Sequence, residues 1–215
     1  MVGQGQFRKN AKISDGQFMG LKVYAELLVK WQNAYNLVGS KTIDKLWTRH
    51  IYDSAQLLAL VDGALGINKN RIWMDLGAGA GFPGLVISIM GGGKVHLVES
   101  NGKKCSFMRA VIRETSADAI VHQSRIEDMV RFDVDIITSR ALATVKRLLD
   151  YSEPFVSQKL EMWYHKGQDV DEELREATKY WKVNINKYPS QTDEAGTILR
   201  LRNPSRVKQR NKLSK

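Results

Sequence analysis

The stretch Ile72-Trp73-Met74-Asp75-Leu76-Gly77-Ala78-Gly79-Ala80-Gly81-Phe82-Pro83-Gly84 constrains the fold of this chain more than any other. Residues 72–76 are a short apolar run bounded by turn residues, as in a strand buried on both faces of a parallel sheet. Gly77, Gly79 and Gly81 then let the backbone turn tightly and approach a ligand where a Cβ would collide. Pro83, with its fixed φ, suits the first turn of a helix expected over residues 82–90. Strand, elbow and helix in this order make a nucleoside-binding site. Asp75, two residues before the first glycine, selects among nucleosides.

Gly79, Gly81 and Gly84 also satisfy the G-x-G-x-x-G pattern, with Glu99 twenty residues after Gly79, which is the spacing of a dinucleotide fingerprint. A pyrophosphate needs backbone N–H groups at a free helix N-terminus. Pro83 removes one such donor, and Asp75 would set a carboxylate near the phosphates. S-adenosylmethionine has no phosphate and carries a cationic sulfonium and ammonium, so an acid at the strand end favours it. The pattern therefore points to a methyl-donor site at Asp75, Gly77, Gly79 and Gly81. An NAD-dependent oxidoreductase and a purely structural turn remain as alternatives.

At 215 residues the chain suits a single domain with terminal additions. No run approaches the roughly 18 apolar residues of a membrane span, and the N-terminus lacks a secretory signal's compact apolar segment. A soluble, cytoplasmic protein without membrane contact is expected. Cys105, the single cysteine, lies on an amphipathic helical pattern, which excludes a disulfide scaffold and a cysteine-rich metal site. His96, His122 and His165 fall in strand patterns without metal-ligand spacing, so no metal is expected. The net charge of +10 sits at the ends: residues 1–12 carry +3 and residues 200–215 carry +7, leaving a body with 23 basic and 23 acidic residues. A neutral body with cationic arms suits nucleic acid phosphate, with Arg206, Lys208 and Arg210 as expected contacts.

Apolar residues from Phe18 to Tyr35 recur at spacings of three and four, predicting a helix over residues 15–35, and a second helix is expected over residues 43–61 with a cap at Ser40 or Thr42. Beyond residue 66 strands are expected at 72–76, 94–98, 119–122, 134–138 and 160–165, alternating with helices at 82–90, 101–114, 144–151 and 170–180 and a helical turn at 125–130. Two late strands, near 182–188 and 196–202, follow one another directly. This alternation predicts an α/β fold: a Rossmann-like doubly wound, mostly parallel sheet of the class I methyltransferase type, with an antiparallel edge strand and an N-terminal helical extension. The expected parts are a basic N-terminus and helical cap over 1–66, a methyltransferase domain over 67–203 and a basic tail over 204–215.

Ligands of such sheets bind at the carboxyl ends of the strands. Glu99 ends the second strand and is placed to accept hydrogen bonds from a ribose diol; Ile126 and Glu127 follow the third and would flank an adenine. Arg140 follows the fourth and would face the substrate, its planar fork orienting a base edge or a carboxylate. His50 and Asp53 would reach over the crevice from the second helix, with Arg49 as an RNA contact on the same helix and Lys166 as a phosphate contact at a strand end.

Taken together these residues resemble the bacterial ribosomal small-subunit methyltransferase G family, long called glucose-inhibited division protein B. The likeness runs through Trp31-Gln-Asn-Ala-Tyr-Asn-Leu-Val38, Arg49-His50-Ile-Tyr-Asp53-Ser54, the loop from Asp75 to Gly84, Ser124-Arg125-Ile126-Glu127, Ser139-Arg140-Ala141 and His165-Lys166-Gly167-Gln168. The resemblance implies methyl transfer from S-adenosylmethionine to N7 of a guanine in the decoding region of 16S ribosomal RNA. It implies cofactor contacts at Gly77, Phe82, Ile126, Glu127 and Arg140, with 16S ribosomal RNA or the small ribosomal subunit as partner of a monomer. Arg140 and His50 are the expected catalytic residues. Two departures stand out: a short Lys/Arg tail replaces a longer Pro-rich basic terminus, and Gly91-Gly92-Gly93 replaces a more polar turn. A small-molecule methyltransferase with incidental basic tails and a ribosome-binding protein without catalysis are the other readings.

Overall fold

The structure, a computed structural model, describes residues 3–11 and 13–207. Lys12 and residues 208–215, with the expected RNA contacts Lys208 and Arg210, lie outside the described residues. Among the described residues one sheet is formed by β1 (Ile72–Leu76), β2 (Lys94–Glu99), β3 (Ala119–Gln123), β4 (Ile136–Arg140), β5 (Glu161–Lys166), β6 (Trp181–Pro189) and β7 (Thr197–Arg206). Their spatial order is β3-β2-β1-β4-β5-β7-β6. Strands β1 to β5 pair in parallel, whereas β7 is antiparallel to both β5 and β6. This is the expected doubly wound sheet with an antiparallel edge. Strand order reverses between β1 and β4, which opens a crevice at their carboxyl ends.

Helices α1 (Gln4–Asn10), α2 (Asp15–Tyr35), α3 (Asp53–Leu65), α4 (Gly84–Ile89) and α5 (Gly102–Thr115) cover one face, and α6 (Val145–Ser152) and α7 (Val170–Ala177) cover the other. The two-residue period of the strands sets this division. Trp73 packs with the first layer, while Met74 and Leu76 pack with the second. Helix α2 spans the predicted residues because Ser14 and Gln17 form a capping box and Phe18, Leu21, Tyr24 and Leu28 fall on one buried stripe. Among the described residues no helix is long and apolar enough to cross a membrane.

Several boundaries differ from the sequence-based expectation. The helix expected over 43–61 is instead a 3-10 turn (Ser40–Lys45), a π-helical turn (Trp47–Tyr52) and α3. Neither Ser40 nor Thr42 caps it; Thr42 Oγ1 lies 2.8 Å from His50 Nε2. Helix α1 was not expected; it forms around Phe7, buried against Trp47 and Tyr52. Helix α4 begins at Gly84 rather than residue 82, with Pro83 at its N-cap after a cis peptide bond. Strand β4 lies two residues later than expected, because Asp135 accepts from Ile72 N at its foot and pairing with β1 starts at Trp73 and Ile136. Strand β7 runs to Arg206, so the tail expected from 204 begins inside a strand.

The joint between the parallel body and the antiparallel edge is a buried ion pair. Arg200 on β7 holds Glu161 on β5 by two bonds of 2.9 and 2.6 Å, and Trp163 Nε1 donates to the same carboxylate at 3.0 Å. Both charged side chains are close to nine-tenths buried, at 12% and 10% exposed. Removing one partner of such a pair strands the other charge at a cost of about 3–5 kcal/mol. Glu161→Ala is expected to lower the urea-unfolding free energy by about that amount, and Glu161→Gln by less because it keeps an acceptor for Arg200.

Candidate active site

The elbow after β1 places Gly77, Gly79 and Gly81 at φ of 64°, 60° and 96°, a region where a Cβ is strained. A Cβ on Gly77 would also strike Leu142 Cδ1 at 2.6 Å, whereas one on Gly79 would find only the Gly77 carbonyl at 3.8 Å. Gly79 N donates to Glu99 Oε2 at 3.0 Å, and Asn101 N donates to Oε1 at 2.8 Å, so β2's terminal carboxylate is held rigidly against the elbow. Gly77, Gly79, Glu99, Ile126 and Glu127 line a common cavity of about 390 Å³. Ala141 and Leu142, after β4, form its opposite wall.

Asp75, Gly81 and Phe82 do not line this cavity. Asp75 lies on the Trp73 side of β1, beneath α4, where Oδ2 accepts from Gly84 N at 2.9 Å and the side chain is wholly buried. Burial pushes its pKa up to about 7, against the lowering effects of the Gly84 bond and the Arg140 charge. The expectation that Asp75 faces the cofactor directly is thus corrected: strand parity turns it under the helix. Its Oδ1 is buried without a hydrogen-bond partner. The open glycines of the elbow and the Glu99 carboxylate beside them fit a nucleoside, whose ribose hydroxyls can donate to that carboxylate. Phe82 stacks on Tyr24, 5.0 Å between centroids, and carries His50 and the Arg140 guanidinium on its surroundings at 5.0 Å each. Gly81 is required by packing, since a Cβ there would overlap Leu85.

Arg140 lines a second cavity, of about 330 Å³, which also meets Ala141. Ala141 therefore borders both spaces and adopts φ 54°, a left-handed conformation unusual for a residue with a Cβ. The guanidinium is held by NH1 to the Arg49 carbonyl at 3.0 Å, NH1 to Asp53 Oδ2 at 3.3 Å and NH2 to His50 Nδ1 at 2.8 Å. Because Arg140 can only donate, His50 Nδ1 accepts and Nε2–H donates to Thr42 Oγ1. Burial, with the neighbouring Arg140 charge, drives the His50 pKa down to about 3, so the ring is neutral at physiological pH. Asp53 is pulled the other way: burial alone would raise its pKa, but His165, Arg140 and the Thr192 hydroxyl hold it below the ordinary value. His165 Nε2–H donates to the Asp53 carbonyl at 2.9 Å, and burial lowers the pKa of that ring as well.

The expected cationic contacts divide. Arg49 lines the Arg140 cavity and pairs with Asp193 at 2.8 Å. Lys166 also lines it, but its ammonium is spent on Glu173 at 2.6 Å and the Ala143 carbonyl at 2.8 Å, anchoring the loop after β4. Arg206 lies on β7 over Trp181, paired with Asp150 at 3.0 Å and with Glu153, so it is a strand residue rather than a free arm. Sequence reasoning missed Thr42, Gln56 and Thr192, which complete the network around His50 and Asp53; nothing in their local pattern marks them. Among the described residues no group of three or more His, Cys, Asp or Glu side chains is placed to hold a metal.

Residues 17–196 match the family described as rRNA small subunit methyltransferase G. The chain belongs to that family. It is 44% identical over 205 residues to the ribosomal RNA small subunit methyltransferase G of Paramagnetospirillum magneticum, covering 95% of this chain and 98% of the relative. It is 40% identical to the protein of the same name from Rhodospirillum rubrum, covering 91% and 94%. The fold is similar to M. jannaschii TYW2 in complex with AdoMet, at TM-score 0.54 and 14% identity over 74% of this chain and 76% of that one. It is also similar to MtNAS in complex with MTA and tNA, at TM-score 0.58 and 16% identity over 88% and 73%. Those two neighbours were solved with AdoMet, or with MTA and tNA, and their likeness to this chain is one of fold.

The depressed pKa of His50 has a measurable consequence. Between its ordinary 6.5 and about 3 the unfolded chain binds a proton that the folded chain does not. The stabilisation is complete above 6.5 and is lost as pH falls towards 3. The stability difference between the wild type and His50→Gln, read from urea unfolding, is expected to narrow steadily as pH drops from 7 to about 4.

Proposed function

We propose that this protein methylates N7 of a guanine in the decoding region of 16S ribosomal RNA, with the methyl donor in the glycine-elbow cavity and the base in the Arg140 cavity. In this reading residues 1–66 cap a methyltransferase domain, and the two cavities meet at Ala141. Gly77 and Gly79 would admit the cofactor, Glu99 would accept from its ribose hydroxyls, and Ile126 and Glu127 would flank its adenine. S-adenosylmethionine supplies an electrophilic methyl group on a sulfonium.

One observation carries the choice of atom: each titratable side chain described around the second cavity is either tied to a partner or turned into the protein, and Asp193 is paired with Arg49. His50 has both ring nitrogens engaged and a pKa near 3, Asp53 is held ionised by its donors, and His165 donates through Nε2 to a backbone carbonyl while its unpaired Nδ1 is buried and burial lowers the pKa of the ring. Lys166 is paired with Glu173. Such a site suits a nucleophile that has a lone pair and no proton to lose, and guanine N7 is one. An exocyclic amine would need its proton removed. What the residues do supply is position. Arg140, fixed at three points, presents a rigid cation in the second cavity next to Ala141, suited to guanine O6, so that the N7 lone pair stays free to attack the methyl group. Holding the reactants in line can contribute roughly 7–11 kcal/mol without proton transfer.

The membership in the rRNA small subunit methyltransferase G family supports ribosomal RNA as the substrate class. Incubation with labelled methyl donor and unmodified 16S ribosomal RNA, followed by borohydride and aniline cleavage, is expected to break the chain at one guanosine, because N7-methylation makes that base labile. Label on an exocyclic amine or a pyrimidine would overturn the proposal.

Two substitutions separate the cavities. Gly79→Ala is expected to reduce S-adenosylmethionine affinity at least tenfold by calorimetry, while costing only about 1–2 kcal/mol of stability for its positive φ. Arg140→Lys is expected to leave that affinity within about threefold and to lower kcat by about a hundredfold, the order expected when a reactant is misplaced by an ångström.

A further inference from the structure

We infer that Asp193 stands in the free protein where a phosphodiester of the substrate nucleic acid binds Arg49, so that the β6–β7 turn covers a phosphate site at the mouth of the Arg140 cavity. The inference rests on the ribosomal RNA reading and names a site within it. Arg49 NH1 meets Asp193 Oδ2 at 2.8 Å, and both residues line the cavity that holds Arg140. Their side chains are 41% and 39% exposed, so the pair sits at the opening and in contact with water.

The turn that carries Asp193 is tied down by polar contacts to the start of α3 and the π-helical turn before it. Tyr52 Oη donates to Gln191 Oε1 at 3.0 Å, Gln191 N donates to Gln56 Oε1 at 2.8 Å, and Thr192 Oγ1 donates to Asp53 Oδ1 at 2.7 Å. Gln191, Glu194 and Ala195 are exposed. Only the Tyr52–Gln191 bond is exposed; the other two end on buried Gln56 and on Asp53, so the backbone of the turn is fixed and the exchange needs only the half-exposed Asp193 side chain to swing aside. Arg49 is anchored differently: its carbonyl accepts from Arg140, which fixes the backbone, while its guanidinium touches the turn through Asp193 and a long 3.5 Å contact from NH1 to the Thr192 carbonyl.

Exchange is favoured by the chemistry of the two anions. A solvent-exposed carboxylate pair is worth about 0–1 kcal/mol. A phosphodiester presents the same two-oxygen edge to the guanidinium fork, and its binding releases counterions that the carboxylate pair does not hold. The other described cations at these positions cannot make the exchange as readily. Lys166 is only 9% exposed, and Arg206 on β7 is shared between Asp150 on α6 and Glu153 in the turn after it.

The test is a double-mutant cycle read as affinity for unmodified 16S ribosomal RNA at fixed salt, with S-adenosylmethionine affinity as a check on folding. Asp193→Asn is expected to tighten RNA binding roughly two- to fivefold, the equivalent of one exposed ion pair. Arg49→Gln is expected to weaken it, and Asp193→Asn added to Arg49→Gln to change nothing further. Glu194→Gln, which removes a neighbouring exposed acid, is expected to have a smaller effect than Asp193→Asn. A gain from Asp193→Asn that persists without Arg49, or that Glu194→Gln matches, would mean a diffuse charge effect and overturn the inference. So would weaker binding by Asp193→Asn. A wild-type protein that binds S-adenosylmethionine but not ribosomal RNA would overturn the substrate reading itself, an outcome distinct from the other two.

Discussion

The Arg140 guanidinium ties the N-terminal helices to the sheet. It leaves the end of β4 and is received by the Arg49 carbonyl, the His50 ring and the Asp53 carboxylate, all from the π-helical turn and the start of α3. A cation this far from water requires partners that accept in the right places. The π-helical turn provides them by widening the backbone between residues 47 and 52, which leaves the Arg49 carbonyl and His50 ring facing the same point. The neutrality of His50 follows, because a protonated imidazole could not accept from Arg140. The second cavity owes its wall to this arrangement: Thr42, Arg49, His50 and Asp53 line it from the cap, while Arg140 and His165 line it from the sheet.

The glycine elbow solves a different problem. Its backbone must pass close to a ligand, and it must do so with an acid beneath it. Asp75 supports the turn from inside by accepting from Gly84 N, and Glu99 supports it from outside by accepting from Gly79 N. Gly84 is needed for the same reason, since a Cβ there would run into Leu97 and lie 2.8 Å from Asp75 Oδ2. The elbow is thus preorganised by two carboxylates that are themselves held by backbone amides. The wall opposite, Ala141 and Leu142, is set by Lys166 and Glu173 from the other face of the sheet, where Glu173 also accepts from Val145 N at the start of α6. Elements from both faces therefore fix the geometry at which the two cavities meet.

The distribution of charge looks different once the chain is folded. In the linear sequence the positive excess belongs to the two ends. In the structure Arg200 and Arg206 are paired with Glu161, Asp150 and Glu153, and Arg202 bonds Asn186, so half of what reads as a C-terminal arm is strand β7. Arg8 is likewise paired with Asp15. A charge count locates cations along the chain, but their availability to a polyanion depends on which acids the fold brings beside them.

The sequence by itself determined the α/β alternation, the glycine elbow, the extent of α2 and the antiparallel edge, because each is a local pattern of period, turn chemistry or capping. It also marked Gly77, Gly79, Glu99, Ile126 and Glu127, which the fold gathers around one cavity since all follow the carboxyl ends of adjacent strands. Only the tertiary structure decided the rest. The parity of β1 turned Asp75 under α4, a 3-10 turn and a π-helical turn interrupted an apparently continuous helix, and side-chain hydrogen bonds brought Thr42 and Thr192 to the site. The partners of Lys166 and Arg206 lie on α7, α6 and the turn after it. Periodicity places a side chain on a face, but the group it meets there belongs to another part of the chain, and that pairing is set by how the layers close.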